Sequence, residues 1–263
     1  MHAVFKVEAN HGGQENMKDR HLRTRAHSLL HRWGFDIVPY SGRYFPSKRR
    51  IETMRDTDVS VLIDVGANQG QYVTDVRRDG WRGTALSIEP LPDAYAVLAD
   101  RASRDDLWAS VNVALGAESG VSTLNVARNQ VSSSLLEMTE RHRTAVQGSA
   151  FVESIEVRVE TLDALVADRG LAGSFYLKID TQGYELEVLR GAIATIDACR
   201  AIELELSLEP LYEGQPLMPE ICRWLLDHEF IAVALWPSLC DPHGRKLMQM
   251  DGIFVPAQGK QRT

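Results

Sequence analysis

The sequence predicts an α/β fold: a doubly wound, mostly parallel sheet that closes with an antiparallel C-terminal hairpin and carries a helical extension at its N-terminus. Three observations lead there. From residue 59 onward, short apolar runs alternate with helical stretches, the pattern of βαβ units whose strands are covered on both faces. Two of these runs end on an acidic residue followed by a glycine loop, Asp64 before Gly66 and Asp180 before Gly183. The last two runs are joined by the turn-rich segment Cys240-Asp241-Pro242-His243-Gly244-Arg245, which suits a hairpin. The 263 residues are 44% hydrophobic and 25% charged, enough for one core that buries about 70–75% of the unfolded surface without disulfide staples.

Residues 1–19 are polar, without hydrophobic periodicity, and are expected to form a flexible tail. Residues 20–58 are expected to be a helical extension. In it Leu22, Ala26, Leu29, Leu30 and Trp33 recur at helical spacing among arginines and histidines, and Gly34 supplies a stop. Residues 1–50 hold ten Lys/Arg against four Asp/Glu, a net of +6, so the rest of a chain of net charge −7 carries −13. The basic helix is expected to dock on the core; pairing with a second copy as a homodimer and contact with an anionic surface are the alternatives.

Residues 59–263 are expected to form the main domain. Strands are predicted over 59–65, 84–88 and 108–113, with helices over 71–78 and 93–101 between them. The alternation resumes with strands over 174–179 and 201–208, followed by helices over 184–190 and 219–228. Residues 230–236 and 249–255 form the hairpin. Between these blocks, 121–127 and 155–160 alternate like edge strands around a polar loop, 128–154, long enough to be either functional or disordered.

The first chemical motif is Val61-Leu62-Ile63-Asp64-Val65-Gly66-Ala67-Asn68-Gln69-Gly70-Gln71-Tyr72. Gly66 permits a tight turn, Gly70 is expected to let backbone approach a ligand, and the N–H groups of the following helix start favour an anionic group. Glu89, in Ser87-Ile88-Glu89-Pro90, ends the next strand, where an acid of a nucleotide-binding fold accepts hydrogen bonds from ribose hydroxyls. An adenosine-bearing ligand is therefore expected. The loop has one glycine fewer than a dinucleotide fingerprint, which argues against a nicotinamide-dependent oxidoreductase. An aminoacyl group suits it better: its ammonium can meet Asp64 or a carbonyl while its carboxylate meets the N–H groups.

The second motif is Phe175-Tyr176-Leu177-Lys178-Ile179-Asp180-Thr181-Gln182-Gly183-Tyr184-Glu185. It delivers Asp180 to the carboxyl edge of the sheet, where ligands of open α/β folds bind. There Asp180 could orient a hydroxyl, accept its proton or hold a metal; otherwise it is a helix cap for the N–H groups of Gln182 or Gly183.

These two motifs, with Thr161-Leu162-Asp163, Leu211-Tyr212-Glu213-Gly214 and Gln249-Met250-Asp251-Gly252-Ile253-Phe254-Val255, strongly resemble the FkbM family of S-adenosylmethionine-dependent methyltransferases. The resemblance runs from about residue 59 to residue 255. It implies a seven-stranded Rossmann-like sheet and a bacterial enzyme that methylates a hydroxyl of a saccharide or glycosylated metabolite, as in polysaccharide biosynthesis. A polyketide or lipid hydroxyl, or a non-catalytic S-adenosylmethionine-binding subunit, is the alternative. The expected cofactor residues are Asp64, Gly66, Asn68, Gly70, Tyr72, Glu89, Pro90 and Asp180. Residues 1–50 lie outside the resemblance.

For such a reaction the base candidates are Asp180, then Glu205 and Glu209 after the next strand, then His142 in the polar loop. Asp180 with Glu205, on adjacent strand ends, is a candidate Mg²⁺ pair. His142 titrates near neutrality when unperturbed but sits in a charged stretch, Thr139-Glu140-Arg141-His142-Arg143, where an exposed helical position is favoured. Trp108, Trp224 and Trp236 read as core; Tyr40, Tyr44 and Phe45 beside Arg43 read as a substrate lip.

Nucleic acid is excluded as a partner on two grounds. The main domain is acidic, whereas phosphate tracking needs a basic surface. Residues 180–183 also replace the Asn/Asp-Pro-Pro-Tyr/Phe tetrapeptide of amino-methylating DNA enzymes, and no cysteine follows a proline. Cys199, Cys222 and Cys240 are widely spaced and read as reduced thiols. With no signal-like or membrane-spanning apolar run, the expectation is a cytoplasmic protein without stable membrane insertion.

Overall fold

The computed structural model describes residues 4–7, 36–39, 41–43 and 45–257. The chain divides into two compact units, Met1–Glu52 and Thr53–Thr263; the sequence pattern alone places a division six residues later. In the first unit β1 (Val4–Val7) pairs in parallel with β2 (Asp36–Pro39), with Val4 opposite Asp36. The stretch expected as a tail thus contributes a strand, for which Val4, Phe5 and Val7 supply β-branched and aromatic residues. Helix α1 (Pro46–Asp56) starts on a proline, whose missing N–H costs nothing in a first turn. The helix expected through Leu22 and Trp33, together with Tyr40 and Tyr44, lies outside the described residues.

The second unit runs β3 (Val61–Val65), α2 (Gln71–Arg78), β4 (Thr84–Ile88), α3 (Pro92–Ala102), β5 (Trp108–Val111), β6 (Ala114–Leu115), β7 (Gly120–Ala127), α4 (Glu140–Ala145), β8 (Phe151–Glu160) and α5 (Leu162–Asp168). It continues through β9 (Phe175–Ile179), α6 (Glu185–Arg190), β10 (Cys199–Ser207), α7 (Met218–Asp227), β11 (Phe230–Cys240) and β12 (Leu247–Pro256). Seven strands form one sheet in the order β11-β12-β10-β9-β3-β4-β5. Its pairings are parallel except those of β12, which runs against both neighbours. The predicted hairpin is present, and its last strand lies inside the sheet while β11 takes the edge.

All five residues of β3 are buried, as a central strand covered on both faces requires. Ile63, Val65, Leu86, Ile88, Leu177, Ile179, Ile202 and Leu204 pack with Leu162, Leu189 and Leu225 of the covering helices into the main core. At about 25 cal/mol per Å² of buried apolar surface, this burial is the main stabilising term.

The region between the two βαβ blocks is a separate three-stranded sheet, β6-β8-β7, rather than two edge strands of the main one. Leu124, Val126, Val157 and Val159 bury its inner face against Leu91 and Ala94. The long polar loop is ordered: Thr139 caps α4 by accepting the N–H of His142 at 3.4 Å, and Ser132, Ser134, His142 and Ser149 are all buried. Among the described residues Cys199, Cys222 and Cys240 form no disulfide. No helix among the described residues is long and apolar enough to cross a membrane.

Candidate active site

From β3 the chain order proceeds outward through β4 and β5, while β9 leads in the other direction to β10. The loops after β3 and β9 therefore diverge and open a crevice at the carboxyl ends of the strands, the usual ligand position in such sheets. Gly66 begins the first loop at φ +73°, and a Cβ there would lie 1.9 Å from the carbonyl oxygen of Asp180. Only glycine lets the two loops close to this distance. Gly70, at φ +83°, has a different reason: a Cβ would meet the Trp108 ring at 2.8 Å and Leu98 at 2.9 Å. The close approach expected there between backbone and ligand is instead an approach to the core.

A cleft with apolar walls and a few convergent polar groups opens at this point, the usual character of a small-molecule site. Gly66, Asn68, Glu89, Pro90 and Asp180 line it, with Ile88, Val113, Leu115, Leu124 and Leu135 as apolar walls and Ser133, Ser134, Thr181 and Gln182 as polar ones. Five of the predicted cofactor residues therefore meet in one cleft. Asp64, Gly70 and Tyr72 do not line it.

Glu89 is 7% exposed. Its Oε2 accepts the Asn68 N–H at 2.7 Å and its Oε1 the Leu91 N–H at 2.9 Å, so it fixes both loops beside the cleft. Burial raises its pKa to about 7 against the pull of these N–H groups. Asn68, at φ +47°, is one of the few non-glycine residues in the left-handed region, where asparagine is tolerated best.

Beneath the cleft a polar row crosses the sheet. Register places Ser87, Asp64, Lys178 and Glu203 side by side on β4, β3, β9 and β10. Lys178 Nζ lies 3.3 Å from Asp64 Oδ1 and 3.5 Å from Asp180 Oδ2. Burial opposes the Lys178 charge, but Asp64 and Asp180 outweigh it and carry its pKa above the usual lysine value. Burial raises the pKa of Asp64, with Lys178 pulling the other way. The hydroxyls of Tyr72 and Tyr176 both donate to Glu203 Oε2 at 2.6 Å. Tyr72, expected to touch the cofactor, thus faces this buried row.

Asp180 is not the helix cap that was its structural alternative. Glu185 accepts the N–H groups of the preceding loop, that of Thr181 at 2.9 Å and that of Gly183 at 3.1 Å, and α6 has no side-chain cap. The Asp180 side chain, 41% exposed, instead bonds through Oδ1 to the side-chain amide of Gln182 at 2.8 Å. The same amide nitrogen reaches Glu205 Oε2 at 3.3 Å, and Gln249 Nε2 donates to that oxygen at 2.5 Å. Burial, then the neighbouring Asp180, Glu185 and Asp251 charges, lift the Glu205 pKa well above the usual carboxylate range.

The expected Mg²⁺ pair does not form a ligand set. The Gln182 amide nitrogen lies between Asp180 and Glu205, where a bridging cation would have to sit, and no group of three or more His, Cys, Asp or Glu residues among those described is arranged to hold a metal. Glu209, also a base candidate, is held at the surface by Lys246 and Arg141, which lower its pKa. His142, favoured as exposed, is 2% exposed and lies behind Tyr212, ring centroids 4.9 Å apart. Burial lowers its pKa to about 4.

Sequence reasoning gave no role to Lys178, Gln182 or Tyr212. A signal existed for the first: a lysine inside an otherwise apolar strand must find a buried partner. Gln182 and Tyr212 stand within motifs that carry the family resemblance, but nothing in their sequence neighbourhood marks a role for either side chain.

The donor set suits a nucleoside sulfonium cofactor. The apolar walls can take a purine, Glu89 can accept ribose hydroxyls, and Asp180 can face positive charge. A seven-stranded sheet with only β12 reversed, and this crevice at the β3/β9 divergence, define the Rossmann-like fold of S-adenosylmethionine-dependent methyltransferases. Residues 64–232 match the methyltransferase FkbM domain, and the chain belongs to the FkbM methyltransferase family. It is 25% identical over 190 residues to 2-O-methyltransferase NoeI of Sinorhizobium fredii, covering 70% of this chain and 78% of that one. It is 26% identical over 153 residues to methyltransferase sdnD of Sordaria araneosa, covering 49% and 59%. Among solved structures, methyltransferase FkbM from Methylobacillus flagellatus KT superposes with a TM-score of 0.47 at 14% identity. That superposition covers 74% of this chain and 44% of the other, so the chain spans less than half of that protein.

Proposed function

We propose that this chain transfers a methyl group from S-adenosylmethionine to a hydroxyl of a saccharide or glycosylated metabolite. The observation that carries the reading is the pair of acids at adjacent strand ends, Asp180 on the cleft and Glu205 joined to it through Gln182. The likeness to a 2-O-methyltransferase supports oxygen as the accepting atom.

When bound, S-adenosylmethionine supplies an electrophilic methyl group on a sulfonium sulfur. The task of the chain is to align an acceptor oxygen with it and take away the hydroxyl proton. Asp180, on the cleft wall, accepts a hydrogen bond from the acceptor hydroxyl and orients it. Glu205, joined to Asp180 through the Gln182 amide, takes the proton in its ionised form as the oxygen–carbon bond forms. The apolar walls around Leu124 and Leu135 exclude water, which would otherwise compete as acceptor.

The first test is the thermal unfolding midpoint with S-adenosylhomocysteine, S-adenosylmethionine, NAD and NADP. At a hundredfold excess over its dissociation constant a ligand adds about 2.7 kcal/mol, a shift of several degrees. A shift with the first two alone is expected, followed by transfer of labelled methyl to a panel of sugars. A shift only with a nicotinamide cofactor, or sugars left unlabelled while polyketide or lipid hydroxyls are labelled, overturns the reading.

A further inference from the structure

The amide of Gln182 makes three bonds. Its nitrogen donates to Asp180 Oδ1 at 2.8 Å and Glu205 Oε2 at 3.3 Å, and its oxygen accepts the Tyr212 hydroxyl at 3.0 Å. Turning the amide over would face its oxygen to the Asp180 and Glu205 carboxyl groups, so these two set its orientation, with the Tyr212 hydroxyl shared between the amide oxygen and the Ser132 carbonyl. Burial first, then the charges of Glu205, Glu185 and Asp180, push the Tyr212 phenol above its ordinary pKa, which keeps it a donor. Gln182 itself sits at φ +55°, and its carbonyl oxygen accepts the Ser134 hydroxyl at 2.7 Å. This conformation is unfavourable for a non-glycine residue, and its neighbours maintain it.

We propose that Gln182, bonded to Tyr212, is a positioning residue that joins Asp180 to Glu205 in the place of a bridging divalent cation, so that methyl transfer here needs no metal. The consequence for transfer rests on the function proposed above; the cation consequence does not. An amide offers two N–H donors and no net charge, so it sets the spacing of the two acids without neutralising them. Both amides that reach Glu205, from Gln182 and Gln249, engage Oε2. Its Oε1 takes part in neither bond.

Replacing the amide with a third carboxylate should turn the site into a metal site. Mn²⁺ titration of the full chain, followed by electron paramagnetic resonance, is expected to show no saturable binding in the wild type and one saturable site in Gln182→Glu. That site should disappear in the double variant Asp180→Asn/Gln182→Glu. Saturable binding by the wild type that Asp180→Asn removes would overturn the proposal, as would a Gln182→Glu protein that folds and binds no Mn²⁺. Neither readout uses cofactor or acceptor, so the outcome stands whether or not the transfer reading does. On an acceptor found in the sugar panel, wild-type turnover should survive EDTA unchanged. Gln182→Leu should lose roughly 10-fold or more in kcat, with KM for S-adenosylmethionine within about twofold. Where Gln182→Leu does not fold, Tyr212→Phe removes only the hydroxyl bonded to the amide oxygen and the Ser132 carbonyl and should lower kcat in the same selective way; equal losses in kcat and cofactor binding would overturn the positioning role.

Discussion

Lys178 and Asp64 are register partners on adjacent parallel strands, and the lysine ammonium lies 3.3 Å from a carboxylate that has no exposed surface. The pair forms a charged floor under the cleft, and Lys178 also reaches toward Asp180 above it. Taking charges this deep is costly, and their mutual attraction offsets the cost only while both are present.

Lys178→Met is therefore expected to be strongly destabilising, by about 3–5 kcal/mol, because it strands a buried carboxylate. Adding Asp64→Asn should restore a large part of that loss. Urea unfolding of both proteins checks this; a double variant no more stable than Lys178→Met would show that the pair does not act as a unit.

Gly66→Ala and Gly80→Ala form a second contrast. Both positions have positive φ, +73° and +99°, but the new Cβ would strike the Asp180 carbonyl at the first and meets nothing within 4 Å at the second. Gly80→Ala should cost only the backbone term, about 1–2 kcal/mol. Gly66→Ala should cost more and also abolish the thermal shift with S-adenosylhomocysteine, since the two loops that form the cleft must separate.

The pH dependence of stability has two opposing contributions in overlapping windows. Glu89 has a folded pKa raised to about 7 from 4.5. The folded state thus holds the extra proton between these values, and this contribution is lost as pH rises through 7. His142 has a folded pKa lowered to about 4 from 6.5. Its contribution is present above 6.5 and is lost as pH falls toward 4. Relative to wild type, Glu89→Gln should gain stability between pH 5 and 8, whereas His142→Gln should lose it over the same rise. Each effect is on the order of 1–3 kcal/mol. Unfolding free energies at the two pH values measure both, and slopes unchanged by the substitutions would remove the assignment.

Asp180→Asn should leave the S-adenosylhomocysteine shift in place and lower turnover by roughly 10² to 10⁴, the usual contribution of a positioned acid–base group. Glu205→Gln should do the same while flattening the acid limb of the rate profile. Unchanged turnover in both would move the proton acceptor elsewhere.

The main elements were legible because periodicity is a local property. The helix over 71–78 was placed at its observed ends, and the strands over 59–65 and 84–88 within two residues of theirs. The hairpin strands were predicted too short. Edge strand β11 runs on to Cys240 through Pro237, which reads as a break in the sequence but is acceptable in an edge strand. The polar region 128–154 read as a loop because some of its buried groups meet partners distant in sequence, such as the Ser134 hydroxyl on the Gln182 carbonyl and the Tyr212 hydroxyl on the Ser132 carbonyl.

The candidate site divides in the same way. Gly66, Glu89 and Asp180 could be found because each ends a strand beside a turn, and a turn leaves its mark in adjacent residues. By itself the sequence determined the order of strands and helices, the two glycine loops and the acids that follow the strands, since each of these depends on neighbours a few positions away. The tertiary structure alone decided that Lys178 answers Asp64, that Glu185 rather than Asp180 accepts the N–H groups of the loop, and that Gln182 stands between Asp180 and Glu205. Those relations depend on the register of strands far apart in the chain and on side-chain directions within about an ångström, which spacing along the sequence does not encode.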